Sequence, residues 1–294
     1  MNGPNTVDAI RDGADFVISP NARAISLTVA IPALNEEKNI KGAIQAALDA
    51  GAKVPGIRLE IIVIDDGSKD KTAEIVRDIS LQHGNVRLIE NPQNIGLGAS
   101  IRRAIEAASM ERFLFIPGDN DIPLSTLELL FSNANAADVV MTYFHNDEYR
   151  GRGRYLLSTF FRLIYTTSFD LYVLYVNGPA VYPTEKLKQL NLRSTRFSIV
   201  AEINVKLLRQ GLTYVELPSN RQVGMEGSTS ASWRSLLETA RVYIQLFAEV
   251  HFRDPQRYAK RPKRLPYFIS LHSIKREPAA LIESCHDSSD QAAT

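Results

Sequence analysis

Four short apolar runs, each closed by a cluster of turn-forming polar residues, constrain this chain most. They occupy residues 27–31 (LTVAI), 61–64 (IIVI), 86–89 (VRLI) and 113–116 (FLFI). Three are apolar throughout or nearly so, as strands buried on both faces must be. Between the runs, apolar residues recur at helical spacing. Ile40, Ala43, Ile44, Ala47 and Leu48 form one set, Ile75, Val76 and Ile79 a second, and Ile101, Ala104, Ile105 and Ala108 a third. Strand and helix alternating through short polar joints require right-handed crossovers and a mostly parallel sheet. The expected fold class is α/β, a Rossmann-like sheet flanked by helices.

The joints carry the chemistry. Pro32-Ala33-Leu34-Asn35-Glu36 closes the first run, and Asn35 is expected to cap the following helix with Glu36 and Glu37 in its first turn. Asp65-Asp66-Gly67-Ser68 closes the second, Asn94-Ile95-Gly96-Leu97-Gly98 follows the third, and Pro117-Gly118-Asp119-Asn120-Asp121 ends the fourth. Ligands of open α/β sheets bind outside the carboxyl ends of the strands. Asp119 and Asp121 stand one residue apart there and repel unless a proton or cation lies between them. Mg²⁺, which takes one or two carboxylates together with phosphate oxygens, suits such a pair. An Asp-x-Asp turn also serves simply to start the next helix, so the pair alone does not decide.

Bulk properties remove several classes of function. The formal net charge is +1, which argues against nucleic acid as a partner. The single cysteine, Cys285, has no partner for an internal disulfide, in keeping with a reducing cytoplasm. The first residues lack the basic and apolar regions of a secretory signal. The best candidate for a membrane span, 155–176, is broken by Arg162 and Asp170.

The second half of the chain is less regular. A strand is expected at 138–142, a helix at 199–210 and a strand at 213–217. An arginine-rich loop, Arg150-Gly151-Arg152-Gly153-Arg154, precedes a long aromatic segment. From 232 to 252 an amphipathic helix is expected, with Trp233, Leu236, Leu237, Ala240, Ile244 and Phe247 on one face. A basic run from Arg253 to Arg264 follows. An apolar helix face beside a polybasic stretch is the pattern of an interfacial membrane anchor. The expected organisation is an N-terminal arm (1–24), a main domain (25–230), the amphipathic helix with its basic segment (231–265) and a tail (266–294).

In order and spacing, the four joints resemble the nucleotide-sugar half of family 2 glycosyltransferases with the GT-A fold. The likeness covers about residues 26–125 well, dividing the main domain into a nucleotide-sugar half (25–125) and an acceptor half (126–230). It continues more weakly through the arginine loop, Asn177-Gly178, Glu202 and Arg221-Gln222-Val223-Gly224, which look like parts of dolichol- and polyprenyl-phosphate sugar transferases. In place of the glutamine those enzymes usually carry two residues after the second Asp, this chain has Ile122-Pro123-Leu124.

The resemblance implies roles. Pro32, Ala33, Leu34, Glu36, Asp65, Asp66, Gly96, Gly98, Asp119 and Asn120 would bind a GDP- or UDP-sugar. Asp119 and Asp121 would hold Mg²⁺ or Mn²⁺ on its diphosphate. Arg150, Arg152, Arg154 and Arg221 would meet an acceptor phosphate. Glu202 would act as general base if the acceptor is a hydroxyl, whereas an ionised phosphate needs none. The implied activity is inverting transfer to a lipid-linked or polyprenyl-phosphate acceptor. Transfer to a saccharide hydroxyl and a non-catalytic nucleotide-sugar binder are the alternatives. The implied place of work is the cytoplasm, with peripheral contact on the inner face of the cytoplasmic membrane.

Overall fold

The computed structural model describes residues 24–144, 152–219 and 233–267. Strand β1 (Ser26–Ala33) lies buried along its whole length at the centre of the sheet. It pairs in parallel with β2 (Arg58–Asp65) on one side and β4 (Arg112–Phe115) on the other, and β2 in turn pairs in parallel with β3 (Val86–Glu90). Helices α1 (Ile40–Ala52), α2 (Thr72–Gln82) and α3 (Leu97–Ala107) make the crossovers. Ala33 lies opposite Asp65, and Ala30 opposite Phe115, so the four strands end at one edge and their following loops collect there.

Alternation along each strand builds two cores. In β2, Ile62 and Ile64 pack with α3 residues Ile101, Ala104 and Ile105, while Ile61 and Val63 pack with α1 residues Ile40, Ala43 and Ile44. The side-chain period of two in a strand sends successive residues to opposite faces, so both faces need a helical cover.

Beyond β4 come α4 (Leu124–Ser132), β5 (Val139–Phe144), α5 (Arg152–Phe169), β6 (Ala180–Pro183), α6 (Thr184–Lys188), α7 (Ser198–Leu208), β7 (Thr213–Ser219) and α8 (Trp233–Ala248). A π-helical turn (Glu249–Arg253) and β8 (Lys263–Arg264) follow. The sheet order is β3-β2-β1-β4-β6-β5-β7-β8. Only β6 runs antiparallel to its neighbours, β4 and β5. Its four residues follow Pro179, end on Pro183 and carry no legible period in the sequence.

Helix α8 departs from the expected face. Val242, Leu246 and Val250 turn inward, and Tyr243 and Phe247 join Phe169 of α5 in an aromatic cluster with His251. Leu237 and Ile244 point out. The basic run is not a free tail either. Leu265 donates its amide to Tyr214 of β7, Arg264 pairs with the buried Glu216, and Arg261 pairs with Asp170.

Candidate functional site

The first two loops at the sheet edge are zipped together. The Asn35 amide donates to Ser68 Oγ, and the Asn35 side-chain oxygen accepts from the Lys69 amide. Asn35 therefore does not cap α1, which starts five residues later. It holds a left-handed turn at φ 56°, a conformation asparagine tolerates better than most residues. Glu36 donates its amide to Thr72 Oγ1 and accepts from Asn39 through its carboxylate, so it braces the loops.

Asp65 and Asp66 have different surroundings although both are buried. Asp66 accepts from the amides of Ile95 and Gly96, each at 2.9 Å, and from the Asn91 side chain at 2.8 Å. It organises the glycine loop. Asp65 accepts from the Ser68 amide through Oδ2, and its buried Oδ1 has no hydrogen-bond partner among the described residues. A buried carboxylate oxygen left without a donor is costly, and any hydroxyl or N–H that reached it would be favoured.

Gly96 and Gly98 do admit a close backbone approach, but the approaching backbone is the chain's own. The Gly98 amide donates to Thr195 O at 2.8 Å, and a Cβ on Gly96 would lie 2.7 Å from that same oxygen. The amide of Gly98, a residue placed by the resemblance in the nucleotide-sugar site, is thus engaged by the segment that precedes α7.

The acidic turn lies beside the first loop. Gly118 donates its amide to Pro32 O at 3.2 Å, and a Cβ at 118 would press on Ala33. Asp119 Oδ1 accepts from the Asp121 amide, and Asn120 takes φ 60° to make the turn. Asn120 sends its amide group against Gly42 of α1, where a side chain would come within 2.7 Å of it. Both aspartates are partly exposed at the edge. Two carboxylates in one tight turn suit a hard cation that draws its remaining ligands from water and phosphate. No cluster of three metal-binding side chains occurs among the described residues.

Two depressions open at this edge. One, of about 430 Å³, runs from Pro32, Ala33 and Leu34 past Asp66 and Ile95–Leu97 to Thr195, Arg196 and Phe197. The other, bordered by Asp65, Ser68, Lys69 and Glu90, meets it at Asn94. Arg196 and Phe197 escape a reading of the sequence alone, because the R-S-T-R-F stretch has no period or motif to place it.

Glu202 is a correction. It sits within α7, 2 % exposed, and accepts from the amides of Arg193 and Ser194 and from Ser194 Oγ. Lys206, itself fully buried, pairs with it at 3.0 Å and with Glu249 at 3.0 Å. A carboxylate so engaged pins a loop and balances a buried charge, and it offers no exposed oxygen to take a proton from an acceptor. Of the arginines, Arg152 and Arg154 fall in the first turn of α5 rather than in a loop. Arg150 and Arg221 lie outside the described residues.

The glycosyl transferase family 2 model matches residues 28–189, more than half of the chain. The chain belongs to glycosyl transferase family 2. A dolichyl-phosphate beta-glucosyltransferase of Trichomonas vaginalis is 35% identical over 118 residues, which is 39% of this chain and 34% of that protein. The human dolichyl-phosphate beta-glucosyltransferase is 32% identical over 37% of this chain and 36% of its own length. This family 2 chain thus spans about a third of the length of those curated relatives. An uncharacterized protein of Methanocaldococcus jannaschii is 28% identical over 73% of this chain and 96% of its own. Among solved structures, glucosyl-3-phosphoglycerate synthase from Mycobacterium tuberculosis, in complex with Mn²⁺, UDP-glucose and phosphoglyceric acid, superposes with a TM-score of 0.54 over 85% of each chain at 18% identity. That likeness concerns the fold, GT-A.

Proposed function

We propose that this family 2 member transfers a sugar, with inversion, from a nucleoside diphosphate donor to a lipid phosphate. The observation that carries the reading is the join between cleft and acids. The Gly118–Pro32 hydrogen bond sets the Asp119–Asp121 turn against the wall formed by Pro32, Ala33 and Leu34. A nucleoside held along that wall brings its diphosphate to the two carboxylates. Asp65 Oδ1 supplies a buried acceptor for a ribose hydroxyl or base N–H.

A divalent cation held by Asp119 and Asp121 would neutralise charge building on the leaving diphosphate. Inversion requires the acceptor to reach the anomeric carbon from the side opposite the diphosphate. An acceptor oxygen bonds to that carbon as its bond to the diphosphate oxygen breaks, and the diphosphate leaves with the electron pair.

The state of Glu202 favours a phosphate acceptor. A hydroxyl must lose a proton in the reaction and needs a base, whereas a phosphate is already ionised at neutral pH. The carboxylate placed by sequence for that task is committed to Ser194 and Lys206. The dolichyl-phosphate glucosyltransferase relatives support the same choice. Transfer to a saccharide hydroxyl would require a base from elsewhere. A mere binder has no use for two adjacent carboxylates beside its cleft.

A lipid acceptor requires membrane contact, and no described helix is long and apolar enough to cross a bilayer. In this reading the described residues meet the membrane from its surface. The outward face of α8, with Leu237 and Ile244, continues to Phe252, and exposed Phe160 and Leu163 stand on α5. Arg241 on α8 and Arg253, Arg257 and Lys260 after it are exposed as well. That combination suits an anionic leaflet. A calorimetric screen of GDP- and UDP-sugars with Mn²⁺ tests the donor half, and saturable binding of at least one is expected. Binding by none would refute it.

A further inference from the structure

Arg196 and Phe197 form a lip over the cleft that neither motif nor relative assigns. The segment bearing them is fixed from three sides. Glu202 of α7 holds the amides of Arg193 and Ser194. Gly98 and Arg102 of α3 donate to Thr195 O and Ser194 O. Glu238 of α8 accepts from the Thr195 amide and from Ser198 Oγ.

Within this rigid frame, the side chains of Arg196 and Phe197 are left out in solvent. Phe197 is 73% exposed although the cleft lies beside it, and Leu34 (39%) and Ile95 (36%) are the other large apolar side chains exposed along the cleft lining. Arg196 has no acid paired with it among the described residues. An exposed aromatic ring and a free guanidinium on a pinned loop form a preorganised binding edge, because the loop's ordering cost has been met before the ligand arrives.

We infer that Phe197 packs on the flat face of the bound nucleoside, opposite Leu34, and that Arg196 pairs with its diphosphate. Aromatic rings stack on any base, and the guanidinium fork fits phosphate oxygens. The inference rests on the donor reading given above, since it names further residues of the same site.

Titration calorimetry with UDP, GDP, uridine and guanosine separates the two. Phe197→Ala should weaken both a nucleotide and its nucleoside about tenfold or more, with Phe197→Trp restoring affinity. Arg196→Ala should weaken the nucleotide about tenfold and leave the nucleoside unchanged. Both side chains are exposed, so melting temperatures should stay at the wild-type value. Wild-type affinity in Phe197→Ala, or equal losses for nucleotide and nucleoside in Arg196→Ala, would overturn the assignment. Wild-type protein that binds none of the four would overturn the donor reading with it.

Discussion

Glu202 and Lys206, one helical turn apart on α7, form an ion pair of 3.0 Å with both side chains buried. Lys206 also reaches Glu249 beyond the end of α8, so one cation ties the loop before α7 to the C-terminal helix. Removing Glu202 leaves the buried Lys206 with Glu249 as its one remaining acid and takes the acceptor from the Arg193 and Ser194 amides. Glu202→Ala should cost about 3–5 kcal/mol, roughly 10 °C in melting temperature. A thermal melt checks this. If Glu202→Gln instead keeps its stability and donor affinity but loses transfer by orders of magnitude, Glu202 is the base after all.

The acidic turn should behave in the opposite way. Asp119→Asn and Asp121→Asn keep a side-chain oxygen at partly exposed positions, so stability should hold while transfer falls at least about 100-fold. Chelation should abolish activity, and Mg²⁺ or Mn²⁺ should restore it. Full turnover in excess chelator would remove the cation from the account.

These two sites show what was legible beforehand. The parallel half of the sheet is plain in the sequence because each strand is an apolar run and each crossover has a helical period. The turn that carries Asp119 and Asp121 is legible because Pro117-Gly118 stop the strand just before it. Glu202 misled because its place in a helix says nothing about which loop folds back onto it. Asp66 and Gly98 likewise turned out to be engaged by partners distant in sequence, the Ile95–Gly96 amides and Thr195 O. The stripe puts Phe247 on one face with Leu237 and Ile244, and it cannot tell that Phe169 of α5 covers Phe247 while the other two stay exposed.

Acid should expose the role of Glu60. Burial raises its pKa, but the Ser109 amide, the Thr28 hydroxyl, Arg87 and the Ser109 hydroxyl together hold the carboxyl below its ordinary value. A carboxylate depressed on folding contributes stability above its unfolded pKa and loses it as pH falls through the folded one. Glu60→Gln should therefore be less stable by about 1–3 kcal/mol at neutral pH, and the gap should narrow below about pH 4. Denaturation across pH measures it, and a gap independent of pH would contradict the assignment.

The outward face of α8 makes a claim about membranes. Full-length protein should float with anionic vesicles at low salt and detach as salt rises, since each basic residue near the surface contributes on the order of 1 kcal/mol. Replacing Leu237 and Ile244 together with Asp should abolish flotation without unfolding the protein, because both are exposed. Wild-type protein that stays with the soluble fraction at low salt would rule the surface out.

Transfer itself is the decisive measurement. Purified protein, a divalent ion, a polyprenyl phosphate in detergent and a panel of sugar-labelled GDP- and UDP-sugars should yield label in the organic phase as a glycosyl lipid phosphate of inverted anomeric configuration. Label that remains in the nucleotide sugar across the panel, or that passes only to a soluble saccharide hydroxyl, would contradict the account.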